Sequence, residues 1–253
     1  MLLVINFMNS ALHFLNLNIE GSKHLHRVER LIREHAPQLI ALQEVHAKDV
    51  PLLSSILGHE AHYESMATQY DTETNSYEPK GVLTLWDKTF ADVSIAAHRY
   101  EVYTDAHEMI PQKKGPNERD RVLLVVEFTH DGKRYRSANT HFIWTPDGSV
   151  DDLQRRVFAS MLKTLEQYDD ETGIILSGDF NAPRGREIFG ALAKKYQDNI
   201  PKHITTTLDQ TLHRVKGLQY VVDGLFTTPQ YQVASVDIID GVSDHMAIRA
   251  HIR

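Results

Sequence analysis

The chain contains no cysteine. Disulfides and thiolate metal sites are therefore excluded, and the composition fits a reducing cytosol. No segment approaches the ~20 apolar residues of a membrane span. No Gly/Ser-rich or Pro-rich linker and no internal repeat divides the 253 residues, which read as one large domain, 1–253. Positive charge is not in excess either: 27 Lys and Arg stand against 34 Asp and Glu, for a formal net charge of −7. That argues against a protein that coats duplex nucleic acid by charge alone. It leaves room for a hydrolase whose metal ions supply positive charge locally. The N-terminus, Met1 to Phe7, is apolar but lacks a basic region ahead of it, and charge follows soon after, so no signal peptide is expected. Met8 offers a second start, and a flexible extension over residues 1–10 is the expectation. A cytoplasmic monomer is the expectation.

What the chain does have is a series of short apolar strands bounded by polar residues able to do chemistry. The clearest is Gly173-Ile174-Ile175-Leu176, followed by Ser177-Gly178-Asp179-Phe180-Asn181-Ala182-Pro183. The β-branched run reads as a buried strand, and the apolar periodicity from Ile188 to Tyr196 predicts a helix beyond it. In extended chain, residues two apart face the same side. Asp179 and Asn181 then share one spot, with Gly178 leaving room for a close approach. A carboxylate placed there can take a proton or hold a metal, and the amide can orient a reacting water. Asp, Asn, Gly and Pro also favour a plain Asx turn, so this stretch alone does not decide between the two.

The same pattern recurs. The strand over Leu12 to Leu17 ends at Asn18 and Glu20. Ser22 is the expected N-cap of a helix carrying Leu25, Val28, Leu31, Ile32 and His35. The strand Leu39 to Leu42 ends in Gln43-Glu44, and Asp49 to Leu57 predicts a short helix. The polar stretches Tyr63 to Lys80 and Thr104 to Asp120 read as long loops, a length that is usually functional or disordered. Arg121 to Phe128 and Lys133 to Thr140 predict a hairpin whose second strand runs into His141. A helical stripe follows from Leu153 to Leu165, and the last strands begin at Val222-Asp223 and after Asp244-His245. Carboxylate and amide oxygens with few histidines suit Mg²⁺ or Mn²⁺ better than zinc. The chemistry they imply is attack of water on a phosphoryl group.

Asn18-Ile19-Glu20-Gly21, Leu42-Gln43-Glu44, Asn139-Thr140-His141, Gly178-Asp179-Phe180-Asn181, Val222-Asp223 and Ser243-Asp244-His245 resemble, in order, the motifs of the endonuclease/exonuclease/phosphatase superfamily. These are the deoxyribonuclease-I-like metal-dependent phosphoesterases. The resemblance runs from about Leu12 to Ile252. It implies a four-layer α/β sandwich, with two mostly antiparallel sheets face to face and helices outside. By matching position it makes Glu44 the principal metal ligand, flanked by Asn18 and Glu20, with Asp244 as a further acidic ligand. Asp179 is the group that orients or deprotonates the attacking water, with Asn181 beside it. His245 and His141 face the phosphate, and Asp223 bonds the other nitrogen of His245. Two positions depart from the family pattern. Glu20 stands where many nuclease members carry Asp, and Gly224 stands where an aromatic residue is common, which predicts a more open pocket on that side.

The substrate implied is a phosphodiester, nucleic acid or nucleotide-like, because the long loops are polar; lipid or sugar phosphates are the alternative within the same superfamily. Trp144, in a Pro/Gly loop after His141, is a candidate to stack a base or ring. Arg184 and Arg186, just past the site, are candidates to contact phosphate. Lys113, Lys114, Arg119 and Arg121 read as a solvated basic loop. His24, His26, His59, His62, His203 and His213 read as surface or loop residues, and Trp86 as core.

Overall fold

Two apolar strands near the start, Leu12–Asn18 (β1) and Leu39–His46 (β2), set the architecture. They pair in parallel, with Phe14 beside Leu39 and Asn18 beside Gln43. Parallel neighbours require a crossover out of the sheet plane, and helix α1, Leu25–His35, supplies it. The computed structural model describes residues 11–71, 75–101 and 120–253. The segment 1–10 and the basic positions Lys113, Lys114 and Arg119 lie outside the described residues.

After β2 come the short helix α2 (Val50–Ser55), then β3 (Glu60–Asp71) and β4 (Ser76–Trp86). Next are β5 (Ala91–Glu101), β6 (Arg121–His130), β7 (Lys133–His141) and helix α3 (Asp152–Leu165). Strand β8 (Ile175–Asp179), helix α4 (Glu187–Lys195) and the two-residue β9 (Gln197–Asp198) follow. The chain closes with β10 (Asp223–Thr227), β11 (Val233–Ile239) and β12 (Ala247–Ile252). One six-stranded sheet runs β11-β12-β1-β2-β4-β3 and the other β5-β6-β7-β8-β10-β9. Each is antiparallel apart from one parallel pair, β1–β2 in the first and β7–β8 in the second. Among the described residues, no helix is long and apolar enough to cross a membrane.

Apolar residues fill most of the space between the sheets, among them Phe14, Leu39 and Ile248 from the first and Val126 and Ile175 from the second. Helix α1 covers the outer face of the first sheet with Val28, Leu31 and Ile32, over Leu15, Leu17 and Leu42. Helices α3 and α4 cover the second. There Phe158 meets Phe142 edge-on, and Phe189 lies 5.0 Å from Phe226. Trp86 is in the core, as its strand position predicts.

Three readings are corrected. Much of Tyr63 to Lys80 is not loop but the arms of the β3–β4 hairpin. Its polarity reflects an edge strand with both faces partly in water, and its Thr and Tyr residues suit extended chain. Ser22 does not cap α1, which has no side-chain cap; its hydroxyl donates to Asp49 Oδ2 at 2.7 Å instead. Gly224 does not open a pocket, because a Cβ there would meet the rings of Phe226 and Phe180 at 2.6 and 2.8 Å.

Polar bridges join the two sheets inside this apolar layer. Gln43 Nε2 donates to Asn139 Oδ1 at 2.7 Å and to Asn16 Oδ1 at 2.9 Å. Asn139 Nδ2 donates back to the carbonyls of Leu42 and Leu83 at 3.1 and 3.0 Å. Unmade buried hydrogen bonds are costly, so these contacts fix how one sheet slides on the other. Gly178 fixes the next row. With φ at 148°, it lets β8 approach β7 so closely that a Cβ would sit 1.9 Å from Thr140 O. Gly178→Ala is expected to lose about 3 kcal/mol or more by combined overpacking and backbone strain. Denaturant unfolding measures it, and a loss under about 1 kcal/mol would show that β7 can simply move aside.

Candidate active site

Strand register brings the polar residues together. His141 at the end of β7 is level with Asp179 at the end of β8, and Asp179 is level with Asp223 at the start of β10. The first sheet contributes Asn18 from the end of β1 and Glu44 near the end of β2, with Asp244 and His245 just ahead of β12. One end of the sandwich therefore carries the whole set, and the seam between the sheets runs through it.

Asp179 is the hub, 1% exposed. Its Oδ2 accepts from Asn18 Nδ2 at 3.1 Å, across the seam, and from Asn181 Nδ2 at 3.3 Å. Its Oδ1 accepts the Asn181 backbone N–H at 2.8 Å. This is an Asx turn, with Asn181 at φ 49°, so the amide reaches Asp179 through a left-handed turn rather than along an extended strand. The turn and the functional placement expected from the sequence are the same feature. Asp179 Oδ2 lies 3.5 Å from His141 Nε2 and 3.7 Å from His245 Nε2. Burial pushes the Asp179 carboxyl up to about 7; the charge of His245 opposes this and that of Asp223 adds to it.

His245 Nδ1 bonds both oxygens of Asp223, at 2.9 and 3.1 Å. Burial alone would lower the imidazole pKa. Asp223 and then Asp179 outweigh it and hold His245 well above its ordinary range. The ligand atoms of Asp179, Asp223 and His245 lie within 4.8 Å of one another. With His245 Nδ1 engaged by Asp223, that group is better described as a hydrogen-bonded acid–imidazole pair facing a second acid than as a cation cage.

A cation would find its donors beside it. Glu20, Glu44, Asp179 and Asp244 all line one cavity of about 420 Å³. Burial raises the Asp244 carboxyl; His245 opposes this, while the charges of Glu20 and Glu44 raise it further. Three carboxylates that repel one another in this way, with oxygen donors throughout, fit a hard divalent cation. Two of them sit in left-handed backbone, Glu20 at φ 53° and Glu44 at φ 58°. Glu44 occupies a bulge where β2 slips register against β4, and β2 runs on past it to His46. Strain of this kind collects at functional sites, where surrounding contacts hold it in place. Lys80 pairs with Glu44 Oε2, and Glu20 accepts from Lys23 at 2.8 Å and from His24 at 3.1 Å.

Trp144 lines the same cavity. The two arginines predicted to contact phosphate have other partners. Arg184 donates to the carbonyls of Ile200 and Pro201 and to Asp198, which ties down the loop after β9. Arg186 donates to Asp147 O at 2.5 Å and Tyr220 Oη at 3.1 Å, with its guanidinium 5.0 Å from the Tyr220 ring. It fastens the Trp144 loop to Tyr220, itself a cavity residue. Arg121 is buried rather than solvated; it donates to His141 O at 3.2 Å and reaches the cavity from below. His24 is buried against Glu20. Sequence reasoning also missed His213, Arg214, Leu218 and Tyr220, which line the cavity from the long connection before β10. No strand or motif flags that segment, and only the absence of apolar periodicity between Ile200 and Val221 marks it.

The family model described as Endonuclease/Exonuclease/phosphatase family matches residues 15–245. Among solved structures, the chain is similar to the human nocturnin catalytic domain with bound sulfate, at 16% identity and TM-score 0.73, covering 96% of this chain and 93% of that one. It is similar to an endonuclease/exonuclease/phosphatase from Bacteroides vulgatus, at 17% identity and TM-score 0.69, over 96% and 99% of the two chains. A mannosyl-6-phosphatase from Bacteroides thetaiotaomicron aligns at 13% identity and TM-score 0.68, over 96% and 100%. Likeness at these identities carries the fold. No curated protein matches the sequence.

Proposed function

We propose, from the premise that this chain belongs to the endonuclease/exonuclease/phosphatase family of hydrolytic phosphoesterases, that it hydrolyses phosphodiester bonds in nucleic acid or a nucleotide-like substrate. The observation that carries the reading is one buried carboxylate, Asp179, facing two imidazoles in a cavity walled by Trp144 and Tyr220. A phosphodiester resists attack because it is anionic, so the site must offer charge to its oxygens and a base to water.

Asp179, with its carboxyl near neutrality, is suited to take the proton of the attacking water. Asn18 and Asn181 hold its two oxygens in place. Asp223 fixes the tautomer of His245 and leaves Nε2–H free to donate to a phosphate oxygen. His141 stands on the other side of Asp179 for the same purpose. A bound Mg²⁺ or Mn²⁺, held by Glu44 with Glu20, Asp244 and Asn18, would supply charge neutralisation of the phosphate. Aromatic walls suit a ring next to the phosphate.

The test compares bis(p-nitrophenyl) phosphate and a short oligonucleotide with p-nitrophenyl phosphate, mannose 6-phosphate and a phosphoinositide. Diester turnover should exceed monoester turnover at least tenfold, fall at least tenfold in EDTA and return with Mg²⁺ or Mn²⁺. A preference for monoesters would replace this reading with a phosphatase. Turnover indifferent to EDTA would remove the metal from it.

A further inference from the structure

Arg214 lines the active-site cavity beside His213, Val215 and Leu218, on the connection between β9 and β10. Among the described residues it has no hydrogen bond and no ion pair. Its side chain is exposed, and it shares the cavity with Glu20, Glu44, Asp179 and Asp244. A guanidinium within reach of a carboxylate commonly pairs with it, and among the described residues no carboxylate holds this one. Lys80 is paired with Glu44, and Glu20 accepts hydrogen bonds from Lys23 and His24. The remaining lining arginine, Arg121, is buried and donates to His141 O.

The loop holding Arg214 is well built. Asp209 Oδ1 accepts the backbone N–H groups of Thr211 and Leu212, both at 2.8 Å, and the Thr211 hydroxyl at 2.7 Å. Asp209 Oδ2 accepts Gly241 N–H at 2.6 Å. Gln210 Nε2 spans the loop from Leu208 O to Leu218 O, at 3.0 and 2.9 Å, and Lys216 reaches Thr211 O. A pre-ordered backbone lowers the entropic cost of using the side chain it carries. Val215, 50% exposed, and Leu218 add apolar surface to the same cavity. A planar cation with no partner among the described residues, on an ordered loop that lines the candidate active-site cavity together with apolar side chains, is complementary to a second anion attached to an organic substrate.

We propose that Arg214 binds a second, non-scissile phosphate of the substrate, so that the enzyme selects substrates carrying two phosphates on one nucleoside unit over those carrying the scissile group alone. This rests on the phosphodiesterase reading and narrows its substrate class. Guanidinium pairs with phosphate bidentately, whereas an ammonium acts as a point charge. Arg214→Lys is therefore expected to keep part of the preference and Arg214→Gln to lose it.

The experiment uses two substrates that differ by one group: the p-nitrophenyl ester of thymidine 5′-phosphate and the same ester with a 3′-phosphate. In parallel, calorimetry measures binding of thymidine 5′-monophosphate and thymidine 3′,5′-bisphosphate. Wild type should prefer the bisphosphate forms about tenfold, through KM in turnover and through Kd in binding. In Arg214→Gln both preferences should fall to near one. Equal Kd for the two nucleotides in wild type, or an undiminished preference in Arg214→Gln, would overturn the proposal. Absence of turnover on both esters, with an Arg214-dependent binding preference intact, would sink the hydrolase reading and leave the second-phosphate site standing.

Discussion

Asp179→Asn is expected to lower kcat on a phosphodiester by ~10²–10⁴-fold, the range for loss of a positioned general base. The two side chains are nearly the same size, and Asp179 is fully enclosed, so packing is unchanged. What changes is charge, proton affinity and one acceptor, since Oδ1 and Oδ2 both accept N–H bonds and the amide NH2 must face one of those donors. Burial holds the Asp179 carboxyl at about 7, against an ordinary 3.8. In the unfolded chain the group ionises at the lower value. The sign follows: an acid with a raised folded pKa costs stability, and that cost accumulates as pH rises from about 4 to about 7. The amide carries no such cost. At pH 7.5 in EDTA the relief of that cost offsets the lost acceptor, so the Tm of Asp179→Asn should stay close to that of wild type while turnover collapses. Stability given up at a site for function behaves in this way. A variant with turnover near wild type would remove Asp179 from the mechanism. A variant that loses turnover and Tm together would make Asp179 a structural residue, with its hydrogen bonds from Asn18 and Asn181 as its role.

Much of that site was legible because strands carry side chains at a fixed spacing and apolar runs mark where strands end. His141, Asp179 and Asp223 stand at such ends, and register then places them side by side. The polar hairpin arms were not legible, because an edge strand wet on both faces has the composition of a loop. Nor was the fate of Arg184 and Arg186. Sequence places them two and four residues past Asp179–Phe180–Asn181–Ala182, but only the folded chain shows the carbonyls of Ile200 and Asp147 waiting for their guanidinium groups. Arg121 was misread for the same reason: a long cation after a polar stretch looks solvated until β7 and His141 O are laid beside it. The wall carrying Arg214 has no periodicity, because its order comes from side chain to backbone bonds centred on Asp209 and Gln210. Short-range patterning does not report bonds of that kind.

His245→Ala is expected to cost ~10²–10³-fold in kcat/KM, and adding Asp223→Ala to it should cost little more. His245 Nδ1 sits 2.9 Å from Asp223 Oδ2, and both residues are buried. Asp223 is level with Asp179 on the neighbouring strand, but its side chain is committed to the imidazole. Its contribution to the reaction therefore passes through His245, by fixing which nitrogen donates and by favouring the charged ring. Groups that act as one unit give non-additive losses. If Asp223→Ala alone costs ~10²-fold, independent action predicts a double variant worse by the product of the two factors, whereas the geometry predicts one close to His245→Ala. A buried charge left without its partner can also destabilise the fold, by roughly 3–5 kcal/mol. The cycle is therefore repeated with Asp223→Asn, which keeps the shape and a hydrogen bond but not the charge, and each variant's Tm is measured alongside. In a variant that stays folded, the Asp223 penalty should appear chiefly as a lowered pKa in the pH profile of kcat/KM, which loss of packing alone would not produce. Penalties that add, with an unmoved profile, would return Asp223 to the role of a strand residue that happens to touch the imidazole.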